Sequence, residues 1–236
     1  MKALDKKMLR DLWGMKGQAL AIAIVIVSGI ATFVMSLSTL DSLKRTRAAY
    51  YSDYRFPEVF LSLKRAPESM RERIRQLPDV EMVDTRVVVN ARLEVEGFEA
   101  PITGLIVSVP DTGEPLLNVL YFRQGRYPAP GRDDEVIVSE AFAEAHSLVP
   151  GDKLGAIING RKKNFTIVGI ALSPEFIYQL KPGSAIPDFK RYGILWMARK
   201  PLAAAYDMEG AFNNAVIKLS PGAREEDAID RLDTLF

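Results

Sequence analysis

The chain has 236 residues, with 31 lysines and arginines against 30 acids, one histidine and no cysteine. The missing cysteine excludes disulfides, thiolate nucleophiles and cysteine metal sites. A net charge of +1 leaves no basic field for nucleic acid, so that partner class is set aside. The balance is uneven, however. Residues 1–16 carry Lys2, Lys6, Lys7, Arg10 and Lys16 against Asp5 and Asp11, so the rest of the chain sums to −2.

Residues 1–16 read as a cytoplasmic, interfacial amphipathic helix. Leu4, Met8 and Leu12 recur at i, i+4, i+8, Leu9 and Trp13 lie beside them, and Lys6, Lys7 and Arg10 face elsewhere. A merely basic flank that sets topology would carry the same charges.

Residues 17–40, Gly17 to Leu40, hold no charge. As a helix they span roughly 36 Å, more than a hydrocarbon core of about 30 Å. A helix also pairs its own backbone groups, which lipid requires. The basic flank lies on the N-terminal side, which expects that end in the cytoplasm and residues after about 41 outside the cell (inner) membrane. A buried helix of a soluble protein is usually shorter and amphipathic. A signal peptide has a shorter apolar run before small residues such as Ser36 and Ser38. Ser28, Gly29, Thr32 and Ser36 form a small, weakly polar stripe where another membrane helix can approach; membrane helices are also rich in small residues generally.

Residues 41–57 are expected to continue the helix as a stalk as far as Pro57. They lack Gly and Pro before that point, Asp41 and Arg45 are spaced as an ion pair, and Leu43, Arg47, Tyr50 and Tyr54 share one face. Tyr50 would lie about 15 Å beyond Leu40, too far for an interfacial belt, so the tyrosines are expected to pack on the following domain or a partner.

Residues 58–236 alternate strand and helix patterns. Glu58–Lys64 alternates as a half-buried strand. Pro67 suits the first turn of a helix whose apolar face is Met70, Ile74 and Leu77, stopped by Pro78. Strand patterns follow over 80–89, 92–95 and 101–109, with Glu96-Gly97 as a tight turn. Residues 125–134, "GRYPAPGRDD", are loop chemistry.

A second unit begins at the strand "EVIVS", with Ser139 placed to cap a short helix. "LVPGDKL" turns into a strand, "INGRKKN" is a polar hairpin and "FTIVGI" is a strand. "YGILWMA" is a strand with Pro201 opening a short helix, "NAVIKL" is a strand, and the chain closes on an acidic-ended helix. The expected fold class is α+β: one transmembrane helix with a helical stalk, then β-α-β units around an inserted β-rich subdomain. The last helix has no return strand after it, which is the pattern of an N-terminal portion of a longer protein.

No catalytic constellation stands out. His146 is alone, and no HExxH, P-loop or GxSxG occurs. "GRDDE" places its acids consecutively, not around a calcium loop. No metal, cofactor or catalytic residue is expected in this chain. Residues 173–193 form a long loop containing Pro and Gly, with Phe176, Tyr178 and Phe189 as candidates for an exposed partner loop; an ordinary connector packed by its own side chains is the alternative.

Residues 121–170 run through a G-R-x-P turn, an E-V-I-V-S strand, a small helix, an L-x-x-G-D turn and an F-x-I-V-G-I strand. In that order, after a basic helix, one span and a stalk, they resemble ATP-binding cassette transporter permeases of the MacB/FtsX-like type. The resemblance implies further membrane helices beyond this chain and a separate cytoplasmic ABC ATPase subunit that binds the ATP. It also implies a second permease copy, and an extracytoplasmic adaptor or cargo. The chain departs from the pattern in having one span and no cytoplasmic coupling loop. A single-pass anchored binding or scaffold module is the alternative, and an exported hydrolase a third reading.

Overall fold

The computed structural model describes residues 3–236, and all of their side chains except those of 3–5, 9 and 12. The expectation for Lys2 and for the Leu4, Leu9 and Leu12 face therefore lies outside the described residues. The chain divides into two compact units, 1–50 and 51–236.

In the first unit, α1 (Ala3–Gly14) is followed at Met15 by a turn into α2 (Lys16–Asp53). No residue of α2 is buried, so its apolar surface has no protein cover. Thr32 Oγ1 donates to Ser28 O and Ser36 Oγ to Thr32 O, both at 2.9 Å. The stripe's Thr32 and Ser36 hydroxyls are thus spent inside their own helix. Asp41 and Arg45 form the expected i,i+4 pair at 3.0 Å.

The helix stops at Asp53, four residues short of Pro57. Arg55 takes a left-handed φ of 50°. Its N–H donates to Ser52 O at 3.1 Å, and that of Phe56 to Tyr51 O at 2.8 Å. These two bonds make a Schellman cap, which satisfies the last carbonyls and turns the chain before proline has to. The Tyr51 and Phe56 rings stack across the cap with centroids 4.5 Å apart.

The second unit holds two sheets with separate cores. The small sheet orders β1 (Val59–Pro67), β10 (Ala211–Leu219) and β2 (Val80–Arg86), with β10 antiparallel to both neighbours. Pro67 ends a strand opposite Ala211 instead of opening a helix. At the edge of the sheet its missing N–H costs no ladder bond. α3 (Met70–Arg75) and α6 (Glu225–Leu235) cover one face, where Ile74, Phe212, Ile217 and Leu232 form the core.

The large sheet contains β3 (Val88–Val95), β4 (Phe98–Val109), β5 (Tyr121–Gly125), β6 (Glu135–Ser139), β7 (Lys153–Ile158), β8 (Arg161–Leu172) and β9 (Tyr192–Ala198). Its order is β5-β8-β6-β9-β4-β3-β7, and β7 also pairs with β8. Six strands therefore close into a ring with β5 on the outside. Alternation sorts side chains between inside and outside. Val136, Val138, Leu195 and Met197 join the enclosed core, while Ile137, Ile194 and Trp196 join a second cluster on the outer face. Both faces of β6 and β9 are covered, which is why both strands read as continuous apolar runs.

Two short helices serve the ring. α4 (Glu140–His146) contributes Phe142 to the enclosed core, and α5 (Arg199–Ala205) follows β9. Ser139 sits at the N-cap position of α4 but makes no cap bond. Its hydroxyl donates instead to buried Gln179 at 2.9 Å. Pro201 is the third residue of α5, not its first. The β7–β8 hairpin turns at Asn159 and Gly160, with φ of 45° and 76°. Two positive φ values in succession are what a type I′ turn requires.

Candidate functional site: the helix junction and the seam between the sheets

The chain leaves α2 into a set of ties that all lie within the second unit. Val119 N–H donates to Tyr54 O at 3.0 Å and Asn118 N–H to Arg55 O at 3.1 Å. The Tyr54 ring meets Tyr121 edge-on at 5.9 Å, and Phe56 meets Phe60 at 5.6 Å. Glu58 accepts from Leu219 N–H at 2.8 Å and from Lys218 Nζ at 3.0 Å. The exit from α2 is thus bound both to β10 of the small sheet and to the 118–121 segment that leads into β5. Of the sequence-derived stalk face, Tyr54 packs on the domain. Leu43 and Arg47 are exposed and Tyr50 is half-buried.

The seam between the two sheets is polar, and it is centred on two consecutive residues of β2. Arg86 points to the sheet face away from α3 and α6. It donates from Nη1 to Glu175 Oε2 at 2.5 Å and from Nη2 to Glu175 Oε1 at 2.9 Å. Its Nε and Nη2 also reach Asn214 Oδ1 of β10, at 2.9 and 2.6 Å. Asn118 Nδ2 donates to Glu175 Oε2 at 2.8 Å. Glu175 lies in the 3-10 turn after β8, so one arginine of the small sheet is gripped by the large one.

Thr85 points the other way, as its neighbour in a strand must. Arg199, the first residue of α5, donates to Thr85 O at 2.7 Å and Thr85 Oγ1 at 3.0 Å. It also pairs with Glu68 at 2.5 Å. Glu68 in turn accepts from Thr85 Oγ1 at 2.7 Å. An arginine of the large sheet here grips the small one. Just beyond, Val87 crosses between the sheets. Its N–H donates to Ser108 Oγ at 2.9 Å, and the Asn213 side chain makes two bonds to the Val88 backbone at 2.7 and 2.8 Å.

A cleft of about 360 Å³ opens on this seam, lined by Arg71, Asp84, Arg86, Asp111, Glu114 and Arg199. Burial pushes the Asp84 carboxyl above its ordinary range, against the opposing pull of Arg86 and Arg71 and the N–H of Leu116. Glu114 is 3.7 Å from Arg55, and Asp111 accepts from Lys200 N–H at 2.9 Å. The side chains set cation against anion across the seam between two cores.

Other sequence candidates are equally accounted for. His146 Nε2 lies 3.0 Å from Lys190 O, which can only accept, and the ring packs on Phe98 and Phe142. The acids of "GRDDE" are paired: Asp133 with Lys163, Asp134 with Arg132, and Glu135 with Arg126. Arg126 holds Glu135 below the usual carboxylate range. Among the described residues no three His, Asp or Glu gather as a metal site. In the long loop, Phe176 is not exposed: it is half-buried against Trp196 at 6.2 Å, because the 3-10 turn folds it back onto the outer face. Tyr178 is exposed at 79% and Phe189 at 37%. Sequence reasoning missed Arg86, Glu175, Glu68 and Arg199, whose partners lie 89 and 131 residues away in the chain.

The family model of the MacB-like periplasmic core domain matches residues 19–235, from within α2 to the last helix. The chain belongs to the MacB-like periplasmic core domain family. No curated protein matches the sequence significantly. Among solved structures, it is similar to the extracellular domain of the noncanonic ABC-type transporter YknZ from Gram-positive bacteria. That match has 12% identity and a TM-score of 0.44, covering 75% of this chain and 86% of that one. The periplasmic region of MacB from Actinobacillus actinomycetemcomitans matches at 13% identity and TM-score 0.44, over 72% of each chain. A domain of a putative permease from Porphyromonas gingivalis matches at 14% and 0.42, over 74% of this chain and 70% of that one. A MacB-like domain of the type found in ABC transporter permeases thus follows a helix long and apolar enough to cross a membrane.

Proposed function

We propose that this chain is the N-terminal part of an ABC transporter permease subunit, in which residues 17–40 cross the membrane and 41–57 carry motion between membrane and domain. Residues 1–16 lie in the cytoplasmic interface, and 58–236 act outside. A separate cytoplasmic ATPase binds the ATP, and this chain holds no cofactor of its own. A second permease copy completes the membrane part. The work done outside is export, or force delivered to an adaptor or cargo.

The observation that carries the reading is the family match. It takes in the apolar helix and both sheets as one stretch, residues 19–235. Two features of the chain support a mechanical role. α2 runs without a break from Lys16 to Asp53. Its last turn then ends in a cap whose residues are bonded to both sheets. A helix without an interior kink passes on a tilt instead of absorbing it at a hinge.

Arg47→Pro tests this. Proline removes a helix hydrogen bond and clashes one turn back, which kinks the helix. With the full-length permease and its ATPase partner reconstituted in lipid, the variant is expected to insert normally and to lose the stimulation of ATP hydrolysis that coupling gives. Arg47→Ala should retain it. Unchanged stimulation in Arg47→Pro would remove the lever mechanism. Failure of any ATPase to co-purify with the full-length protein would favour a single-pass anchored module instead.

A further inference from the structure

The loop between β8 and β9 exposes more large apolar surface than a connector needs. Ile177, Tyr178, Leu180 and Ile186 are exposed at 52, 79, 41 and 75%, and Phe189 at 37%. Soluble surfaces seldom gather such side chains without a use. The loop is also built, not slack. Gln179 is buried and accepts from Ser139. Ser184 Oγ donates to Ile186 O at 2.8 Å. Asp188 Oδ1 accepts from the N–H groups of Lys190 and Arg191, each at 3.2 Å. Phe176 plugs its base. The inward side chains hold the loop while the others face out.

Its charge is the reverse of its surroundings. Residues 177–191 carry Lys181, Lys190 and Arg191 against Asp188 alone, a balance of +2. The first fifty residues hold eight cations and three acids, so residues 51–236 sum to −4. Among the described residues Lys181 and Lys190 hold no ion pair, and Arg191 has only Asp188, at 3.7 Å.

The position of the loop adds a third observation. It leaves β8 at Leu172, which pairs with Tyr121, the residue whose ring meets Tyr54. Its base therefore sits at the end of the domain that receives the chain from α2.

We infer that residues 177–190 form a bilayer contact, in which Ile177, Tyr178, Leu180 and Ile186 enter the headgroup boundary of the lipid and Lys181 and Lys190 pair with anionic headgroups. The inference rests on the reading of α2 as a membrane span. Apolar side chains flanked by lysines are the chemistry of reversible interfacial binding. The span would keep the bilayer at high effective concentration, so a weak contact suffices.

These 236 residues hold no cysteine, and with any cysteine elsewhere in the full-length protein changed to serine, a single introduced one takes a polarity-sensitive fluorophore at one site. Full-length protein is labelled at Ile186→Cys, at Arg161→Cys on the far end of β8, or at Val25→Cys within the span. Each is placed in phosphatidylcholine vesicles with and without phosphatidylglycerol. The label at 186 is expected to shift to the blue and to be quenched by headgroup-level lipid quenchers, while the label at 161 is not. Lys181→Gln and Lys190→Gln should each lower the lipid-bound fraction relative to free by about fivefold, and only in the anionic vesicles. If the label at 25 is quenched by acyl-chain quenchers and that at 186 is not, the loop proposal falls alone. If neither is quenched, the span reading falls with it. A concentration-dependent blue shift at 186 without lipid quenching would mean that protein covers the loop, and would also overturn the proposal.

Discussion

Arg86 and Glu175 are 89 residues apart in the chain and meet in a two-pronged ion pair, at 2.5 and 2.9 Å, inside the seam between two hydrophobic cores. The side chains are only 7 and 15% exposed. Their desolvation cost is offset because Asn214 and Asn118 complete the hydrogen bonding. A seam of this kind specifies one orientation of the two sheets, which an apolar contact of equal area would not demand.

Removing one partner should therefore cost more than removing both. Arg86→Met strands a buried carboxylate and is expected to destabilise the domain by about 3–5 kcal/mol. Arg86→Met combined with Glu175→Met should regain most of that loss. Urea midpoints of the four proteins in a double-mutant cycle read the coupling directly. Equal losses in the single and double variants would show that the pair is incidental.

Close packing at β9 gives a second expectation. A Cβ on Gly193 would lie 2.7–3.0 Å from the ring carbons of Phe142, which is fully buried in the enclosed core. Gly193→Ala should cost about 1–3 kcal/mol, because neither the ring nor the strand has room to give. Phe142→Leu in the same chain should recover part of the loss. Thermal unfolding of the single and double variants separates this clash from a general intolerance at the site.

The pH dependence has two opposite arms. Burial pushes the Tyr127 phenol from 10.0 to about 12. Between those values the unfolded chain ionises first and the folded chain keeps its proton, so stability falls as pH rises through that window. Tyr127→Phe should flatten the alkaline limb of a stability curve. Burial likewise raises Asp84, so it lowers stability as pH rises through the carboxylate range, and Asp84→Asn should remove that component. Glu135, held down chiefly by Arg126, acts in reverse: its contribution is present above its unfolded value and is lost as pH falls through the lowered one. Glu135→Gln should therefore lower stability near neutral pH and make it fall less steeply toward acid than in wild type. Denaturation midpoints across the pH range check all three.

Much of the element order was legible because it is local. An uncharged run from Gly17 to Leu40 makes a helix whatever surrounds it, and Asp41 with Arg45 fall one turn apart on that helix. Asn159-Gly160 makes a hairpin because two left-handed residues in succession permit little else. "EVIVS" and "YGILWMA" marked strands, and the structure shows both covered on their two faces. Misreadings clustered where two local signals compete. Pro67 suits a helix start and a strand end equally, and the ladder with β10 decided for the strand. Proline at 57 marked a stop, but the Schellman cap at Arg55 acted first.

By itself, then, the sequence determined the long apolar helix, the α+β alternation and the family resemblance. Those properties depend on composition and on spacings of two to eight residues, which the chain carries at every point. Only the tertiary structure decided that β7 returns to β8 and closes the ring, that Phe176 folds inward while Tyr178 does not, and that Thr85 and Arg86 are gripped from opposite faces. Strand closure and long-range ion pairs depend on which distant segments meet. Any of the many charged residues in this chain could have filled those places, and the choice is made by packing around two separate cores.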